Sequence, residues 1–133
     1  MSEDDRKLQQ GRRTERLTID YEIRRLSTLG ISNAVQWVAL DDNAAGYDVQ
    51  SYDEGVVEPI AKLIEVKSSA RIEREIFLTR NEWKTAIERA PHYFFHIWLF
   101  PEEQLIEMTP DELSVHIPQD QGSGEWQTAK ITL

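Results

Sequence analysis

The stretch GYDVQSYDEGVVEPIAKLIEVKSS, residues 46–69, decides the predicted fold. It is typical of a strand, an acidic loop and a second strand, and the second strand, Ile60–Ser68, is predicted to be central because both of its faces are largely apolar. Strand alternation places Glu65 and Lys67 on one face, with Cα atoms roughly 7 Å apart. Burying two unpaired charges costs free energy, so this strand calls for an explanation beyond packing.

Upstream, hydrophobic residues recur with a helical period from about Gly11 to Leu29, and Gly30 is a typical helix end. Residues 1–10 are polar and without a pattern, so we predict a flexible tail there. The Val- and Trp-rich stretch AVQWVAL, residues 34–40, predicts a strand. The helix residues predicted to share one apolar side are Ile19, Ile23, Leu26 and Leu29.

Downstream, Thr79 and Glu82 form a Thr-x-x-Glu capping box, which predicts a helix that ends before Pro91. The order of helix, three strands, helix and strand predicts an α/β fold with a mixed central sheet flanked by helices, and residues 11–133 are predicted to form one domain. The other predicted elements are an extended EIFL (75–78), a buried strand HYFFHIWLF (92–100), a second capping box in TPDEL (109–113), a loop QDQGSG (119–124) and an extended EWQTAKITL (125–133).

Composition narrows the classes of protein. The chain has 133 residues, 40% of them hydrophobic, and no cysteine, which indicates a globular domain without disulfides or thiolate metal sites and predicts a cytoplasmic location. The longest apolar run is far shorter than a membrane span requires.

The net charge of −9 argues against long-range attraction to nucleic acid. The charge is uneven, because residues 1–30 hold seven basic and six acidic residues, whereas residues 31–133 hold eight and eighteen.

The ionisable residues around the central strand suggest a metal site. If the strands of residues 46–69 pair as a hairpin, Asp48 can reach Glu65, and two carboxylates with the Val66 carbonyl suit an oxygen-ligated Mg²⁺. Such an ion polarises a phosphodiester and lowers the pKa of a bound water, which Lys67 could position or deprotonate. Either Glu15 or Glu22, seven residues apart on the buried side of the first helix, could approach the same ion.

Each of these residues also has a structural interpretation. Glu65 and Lys67 could be an exposed ion pair of little energetic consequence, and Asp48 could simply flank a turn. Glu82 is interpreted as a helix cap. The three histidines, His92, His96 and His116, lack the spacing of metal ligands and are predicted to have core or surface roles. Five arginines of the first helix could contact phosphates or only solubilise the helix, and these are Arg12, Arg13, Arg16, Arg24 and Arg25.

The ordered segments GRRTER…YE, GYDVQSYD, LIEVKSS, FLTRNEW and HYFFHIWLF resemble the PD-(D/E)XK nuclease superfamily and, more narrowly, the NO VEIN C-terminal-like domain of bacterial restriction and defence proteins. The resemblance covers about residues 11–100 and implies a restriction-endonuclease-like αβββαβ core. It implies that Asp48 and Glu65 bind Mg²⁺ or Mn²⁺, that Lys67 is the catalytic lysine, and that Glu15 or Glu22 is the helix acid. Tyr47 replaces the proline of the superfamily pattern.

The function implied by the resemblance is magnesium-dependent hydrolysis of DNA phosphodiesters in a restriction or defence context. The implied partners are DNA, a partner protein or a fused ATPase or helicase subunit, with a homodimer also open. The alternative is a catalytically inactive module with the nuclease fold, which binds protein or nucleic acid in a larger complex. Sequence does not separate a deoxyribonuclease from a ribonuclease.

Overall fold

A computed structural model describes residues 1–119 and 124–133 of the chain. A five-stranded mixed sheet has the strand order β1-β2-β3-β5-β6, and β4 pairs with β7 in a second, antiparallel sheet. In chain order the elements are α1 (Glu3–Leu29), β1 (Gln36–Trp37), α2 (Val38–Asp41), β2 (Val49–Asp53), β3 (Ile60–Ala70), β4 (Glu75–Thr79), α3 (Arg80–Arg89), β5 (Tyr93–Phe100), β6 (Gln104–Met108), α4 (Pro110–Ser114) and β7 (Thr128–Thr132).

The central position predicted for the strand at Ile60–Ser68 is confirmed. Strand β3 pairs antiparallel with β2 and parallel with β5, and β4 and α3 form the crossover between β3 and β5. Residues 62–66 of β3 are all buried, because helices or strands cover both faces of the sheet at this point. The observed order agrees with the predicted α/β class and is consistent with a restriction-endonuclease-like fold.

Two hydrophobic cores lie on opposite faces of the five-stranded sheet. On one face, residues such as Leu63 and Phe95 pack with β4, β7, α3 and α4. On the other face, Ile64 and Val66 of β3 pack with Val49, Trp98 and partly buried residues of α1. Because side chains alternate along β3, Glu65 and Lys67 face the side of α3, whereas Lys62 faces the side of α1.

Helix α1 begins at Glu3, eight residues before the predicted start near Gly11. Ser2 is its N-cap and accepts a hydrogen bond from the Asp5 backbone N–H at 3.1 Å. Residues 1–9 are exposed, so the first turns of α1 have no apolar stripe from which a helix could have been predicted. The predicted end is confirmed, because Gly30 adopts a left-handed conformation with φ of 74°.

The buried side of α1 is more polar than predicted. Ile23 and Leu29 remain 52% and 38% exposed, so their predicted core positions are wrong. The residues of α1 that are buried are Thr14, Glu15, Thr18, Glu22 and Leu26. This stripe tolerates polar side chains because the facing strands supply hydrogen-bonding and charged partners.

A buried ionic cluster joins α1 to the sheet, and we call Glu22, Arg25, Lys62, His96 and Glu107 the α1 anchor. The Lys62 Nζ lies 3.3 Å from the Glu22 carboxylate and 2.7 Å from that of Glu107. The Arg25 guanidinium contacts Glu22 at 2.7 Å. Removing one member of such a cluster leaves another buried charge without compensation.

A chain of hydrogen bonds extends the anchor to Trp98. The Trp98 Nε1–H donates to Thr18 Oγ1 at 2.8 Å, and Thr18 Oγ1 lies 3.2 Å from His96 Nδ1. The His96 Nε2 lies 2.7 Å from Glu107 Oε2. A neutral imidazole with its proton on Nε2 satisfies all these contacts, since Nδ1 then accepts from the Thr18 hydroxyl. The core role predicted for His96 is confirmed.

The strand predicted over residues 34–40 is wrong in its second half. Only Gln36–Trp37 pair with β2, and Val38–Asp41 form the single turn of α2. The Asp42 N–H donates to the Val38 carbonyl, and the Ala39 N–H donates to the Asp48 carbonyl at 3.0 Å. These bonds satisfy the backbone locally, so the chain leaves the sheet edge beside Asp48.

The remaining predicted elements agree with the structure where it describes them. Both capping boxes are present, at Thr79 with Glu82 and at Thr109 with Glu112. The extended segments at 75–78 and 125–133 contain β4 and β7. The predicted loop at 119–124 lies mostly outside the described residues. Among the residues described, no helix combines the length and hydrophobicity that crossing a membrane requires.

The α1 anchor yields a test of stability. Lys62→Met should lower the free energy of unfolding by about 3 kcal/mol, because Glu22 and Glu107 lose a buried cation. Chemical denaturation measures this change. Lys130→Met is the matched control, since Lys130 is 60% exposed in its pair with Glu75 and should contribute less than about 1 kcal/mol. Equal effects of the two substitutions would contradict a buried anchor.

The anchor also predicts a dependence of stability on pH. The hydrogen bond from His96, against burial and with help from Lys62, lowers the pKa of Glu107 from 4.5 to about 2. A folded-state pKa below the unfolded one stabilises the fold fully above pH 4.5, and this contribution disappears as the pH falls towards 2. The stability advantage of the parent chain over Glu107→Gln should therefore shrink across that range in denaturation series. A constant difference would contradict the assignment.

Candidate active site

An acidic cavity of about 160 Å³ lies where the chain enters β2, beside β3 and the first turn of α3. No basic side chain among the described residues lines it. The acidic residues that line it are Asp42, Asp48, Glu65 and Glu82. Asp48 and Glu65 therefore line the same cavity, as we expected if the two strands of residues 46–69 pair as a hairpin.

Asp48 is fixed to β3 by its backbone and its side chain. Its N–H donates to the Ile64 carbonyl at 2.9 Å, and its Oδ2 accepts from the Val66 N–H at 2.9 Å. The same edge of β3 that donates to Asp48 carries the Val66 carbonyl, because both groups of a strand residue point to one side. The arrangement is compatible with the predicted third ligand.

Gly46 has to be a glycine for Asp48 to reach this position. Its φ is 85°, and a Cβ atom here would lie 2.3 Å from Thr85 Oγ1 of α3. The Tyr93 hydroxyl donates to the Gly46 carbonyl at 2.6 Å, which ties the turn to β5. The Gly-Tyr-Asp sequence thus packs a tight turn against α3 and delivers the aspartate to the cavity.

Lys67 joins two of the carboxylates. Its Nζ lies 3.1 Å from Glu65 Oε2 and 2.9 Å from Glu82 Oε1. Glu65 is 3% exposed, so the interpretation of Glu65 and Lys67 as an exposed surface pair is wrong. The ammonium holds the central strand to the N-terminus of α3.

Glu82 has two roles, of which the sequence pattern indicates one. Its Oε1 accepts from the Thr79 N–H at 2.9 Å, as the capping box predicts, and the same oxygen contacts Lys67. The capping signal accounts for Glu82 by itself and so conceals the second role. One clue to the second role is the place of α3 in the crossover. The first turn of a crossover helix lies near the carboxyl end of the strand before it, here β3, so its capping residue can contact side chains of that strand.

The cavity holds more negative than positive charge. Burial raises the pKa of Asp48 to about 6, although the hydrogen bond from the Val66 N–H opposes this effect. Burial also raises the pKa of Glu65 well above its ordinary value, against the attraction of Lys67, and the nearby Asp48 and Glu82 add to the rise. Apart from the exposed Asp42, the cavity thus has three carboxyl groups beside one ammonium, which leaves two negative charges in excess when all three are ionised.

Lys67 and Glu82 respond in the opposite sense. Burial by itself would lower the pKa of Lys67, but the charges of Glu65 and Glu82 raise it above its ordinary value. Burial by itself would raise the pKa of Glu82, but Lys67 and the hydrogen bond with Glu65 lower it. Lys67 is therefore held as an ammonium, which suits positioning and charge stabilisation better than proton abstraction.

The donor set fits a hard divalent cation. Asp48 and Glu65 offer carboxylate oxygens in one cavity, which Mg²⁺ and Mn²⁺ prefer. A divalent ion would also offset the two excess negative charges. The roles of Asp48, Glu65 and Val66 as ligands remain predictions that this geometry favours.

Of the two helix acids, Glu15 is the one whose charge acts on Asp48, although it does not line the cavity itself. Its carboxylate accepts from Trp37 Nε1 at 2.6 Å and from Arg12 at 2.9 Å, and its charge contributes to the raised pKa of Asp48. Glu22 lies seven residues further along α1, about 10 Å by helix rise, in the α1 anchor. Glu22 is therefore not carried into the proposed site.

Within the described ranges, the one group of three or more His, Cys, Asp or Glu residues whose ligand atoms lie close enough together to hold a metal belongs to the anchor and not to the acidic cavity. Glu22, His96 and Glu107 offer ligand atoms within 4.8 Å of one another, a proximity that their spacing in sequence did not indicate. The Lys62 ammonium already contacts both carboxylates. We therefore interpret this group as structural.

Most arginines of α1 face internal partners. Arg12 pairs with Glu15, and Arg25 pairs with Glu22 and Asp53. Arg13 lies over the ring of Phe100 and Arg16 over that of Trp37. These contacts make four of the five residues poor candidates for a phosphate-binding flank.

The fold and the cavity define a class of protein, an α/β domain consistent with a restriction-endonuclease-like fold and carrying an acidic cavity beside a buried lysine. The model of the family described as "Protein NO VEIN, C-terminal" matches residues 14–109, and the chain belongs to this family. The matched range contains Glu15, Asp48, Glu65, Lys67 and Glu82. Neither a curated protein nor a solved structure matches the chain.

The shared ammonium predicts energetic coupling in the site. Lys67→Met should lower the free energy of unfolding by about 2–3 kcal/mol, because buried carboxylates lose their charged donor. In a Glu82→Gln background the loss should be smaller, since glutamine keeps the cap and removes one charge. Denaturation of the four proteins of this double-mutant cycle measures the coupling. Additive effects would show that Lys67 and Glu82 do not interact.

Proposed function

We propose that this domain is a metal-dependent nuclease that hydrolyses DNA phosphodiesters, with Asp48 and Glu65 holding Mg²⁺ or Mn²⁺. The observation that carries the proposal is the convergence of Asp48, Glu65 and Glu82 on one cavity, beside one buried lysine that contacts two of them. A fold without a functional demand would bury apolar side chains at this position. A restriction or defence context is part of the proposal, and the family membership supports it.

Each residue of the site has a role that follows from its contacts. A bound ion would supply polarisation of the phosphodiester and a water of lowered pKa. Lys67, held as an ammonium by Glu65 and Glu82, stabilises negative charge that develops on the phosphate and orients the attacking water. The Val66 N–H fixes one oxygen of Asp48. Trp37 and Arg12 fix the carboxylate of Glu15, whose negative charge acts on Asp48 and would assist Asp48 in attracting the ion.

The net charge of −9 favours a second candidate function. An acidic surface repels DNA and suits basic protein partners, so the domain could be an inactive module that retains the nuclease fold in a larger complex. The two functions differ in what they require of the cavity, because only the nuclease needs a divalent ion there.

Metal binding is the first test. Millimolar Mn²⁺ should raise the melting temperature of the parent chain, because a ligand of the native state stabilises it. Asp48→Asn and Glu65→Gln should fold but lose most of this increase. Glu88→Gln, which changes an exposed acid of α3, should keep it. An equal increase in all four proteins would place the ion elsewhere.

Cleavage is the second test. Purified protein with Mn²⁺ should nick plasmid DNA, and Lys67→Met should reduce the rate by about 10²–10³-fold because a group that stabilises developing charge is lost. The variant must show a folded circular dichroism spectrum. Equal nicking by Glu65→Gln would indicate a contaminant. A chain that binds Mn²⁺ at Asp48 and Glu65 but cuts neither DNA nor RNA would favour the inactive module.

A further inference from the structure

A second depression, of about 530 Å³, adjoins the acidic cavity at Lys67. It runs between the first half of α1 and the end of β3, and we call it the α1–β3 groove. The residues that define it are Arg6, Lys7 and Gly11 of α1, Lys67 and Ser68 of β3, and Phe77 of β4. Lys67 therefore links the two, because it lines the groove and contacts Glu65 and Glu82, which line the acidic cavity.

The groove and the cavity have opposite charge. Arg6, Lys7 and Lys67 line the groove, and no acidic residue among those described does so. Because Lys67 is paired with Glu65 and Glu82, the positive charge of the groove comes from Arg6 and Lys7. In a chain of net charge −9 this is a local reversal of sign. Arg6 has only a long contact with Glu3, at 4.0 Å between exposed side chains, so its guanidinium remains accessible to an anion. A cleft lined by cations concentrates polyanions even when the whole protein is acidic.

Gly11 lies in the middle of α1, where a glycine costs roughly 1 kcal/mol relative to alanine. A Cβ atom added at Gly11 would meet nothing within 4 Å. Packing therefore does not require a glycine at this position. The absence of a side chain keeps the floor of the groove open for a ligand that approaches the helix backbone, which is a recognised use of glycine.

Phe77 supplies an exposed aromatic ring to the same groove. It projects away from the core between Ile76 and Leu78, which are buried, and it is 60% exposed. Aromatic side chains beside a cationic track are the elements with which proteins bind single strands, because unpaired bases stack on the ring. A base inside a duplex has no free face for such a contact.

From these observations we infer that the α1–β3 groove binds a single-stranded nucleic acid segment, with phosphates against Arg6 and Lys7, the strand close to Gly11 and a base on Phe77. This inference rests on the proposed function, because the groove would lead the strand to Lys67, the lysine of the proposed nuclease site. Both DNA and RNA carry the recognised groups, a phosphodiester backbone and an unpaired base, and the experiment distinguishes these two sources.

Binding is measured without metal, so that it is independent of cleavage. Fluorescence anisotropy in EDTA should show tighter binding of oligo-dT or oligo-U than of a duplex of the same length. Phe77→Ala should weaken single-strand binding about tenfold, as removal of one stacked base does. Ile87→Ala is the matched control, because Ile87 is an exposed hydrophobic residue of α3, outside the groove, and should leave binding unchanged.

The position of the charge is tested with two double substitutions that change the net charge by the same amount. The double substitution Arg6→Gln/Lys7→Gln should weaken binding and reduce the slope of log affinity against log salt by about 0.7 for each phosphate that no longer meets a cation. Lys84→Gln/Arg89→Gln removes the same charge from exposed positions of α3 and should leave both quantities nearly unchanged. Equal effects of the two double substitutions would show that binding depends only on the net charge, and this would overturn the assignment of the groove as the binding site.

Gly11 provides a signature that a purely structural role would not produce. Gly11→Ala should raise the melting temperature, and Gly11→Leu should weaken single-strand binding strongly while the helix stays folded. Gln9→Leu, two residues away on an exposed position of α1, should leave binding unchanged. Equal affinity for duplex and single strand, or unchanged binding by Gly11→Leu, would overturn the proposal. Neither result bears on nuclease activity, which the cleavage assay tests separately.

Discussion

The ammonium of Lys67, shared between Glu65 and Glu82, is the interaction on which the site depends. It joins the central strand to the first turn of α3, and it contacts two of the three buried or half-buried carboxylates of the cavity. Burial raises the pKa of Asp48 and of Glu65, and the neighbouring carboxylates add to the rise, because the single ammonium offsets only part of it. A cavity with this imbalance is poorly suited to a structural role and well suited to a divalent ion.

Helix α1 contributes to both candidate functional surfaces, the acidic cavity and the α1–β3 groove. The α1 anchor fastens it to the sheet through buried ion pairs, on the face opposite Lys67. Further towards its N-terminus, the same helix brings the charge of Glu15 to bear on Asp48 and places Gly11 in the groove. A polar interface suits this task, because directional contacts define the rotation of the helix more sharply than apolar packing does. The position of Glu15 thus depends on residues that have no chemical role.

The sequence predicted those parts of the fold and site that short-range rules control. Strand alternation placed Glu65 and Lys67 on one face, and the capping box located the start of α3. The first turns of α1 were missed because exposed polar residues carry no hydrophobic period. The turn at Val38–Asp41 was missed because hydrogen bonds with Asp48, and not local propensity, end the strand.

By itself, the sequence determined the α/β order, the central strand and the same-face pair of Glu65 and Lys67, because backbone geometry sets these within a few residues. Only the tertiary structure decided that Glu15 and not Glu22 acts on Asp48, that Glu82 shares the lysine, and that the groove is basic within an acidic protein. These features depend on which distant segments meet. Such meetings are set by packing and by the compensation of buried charges, which no local pattern contains.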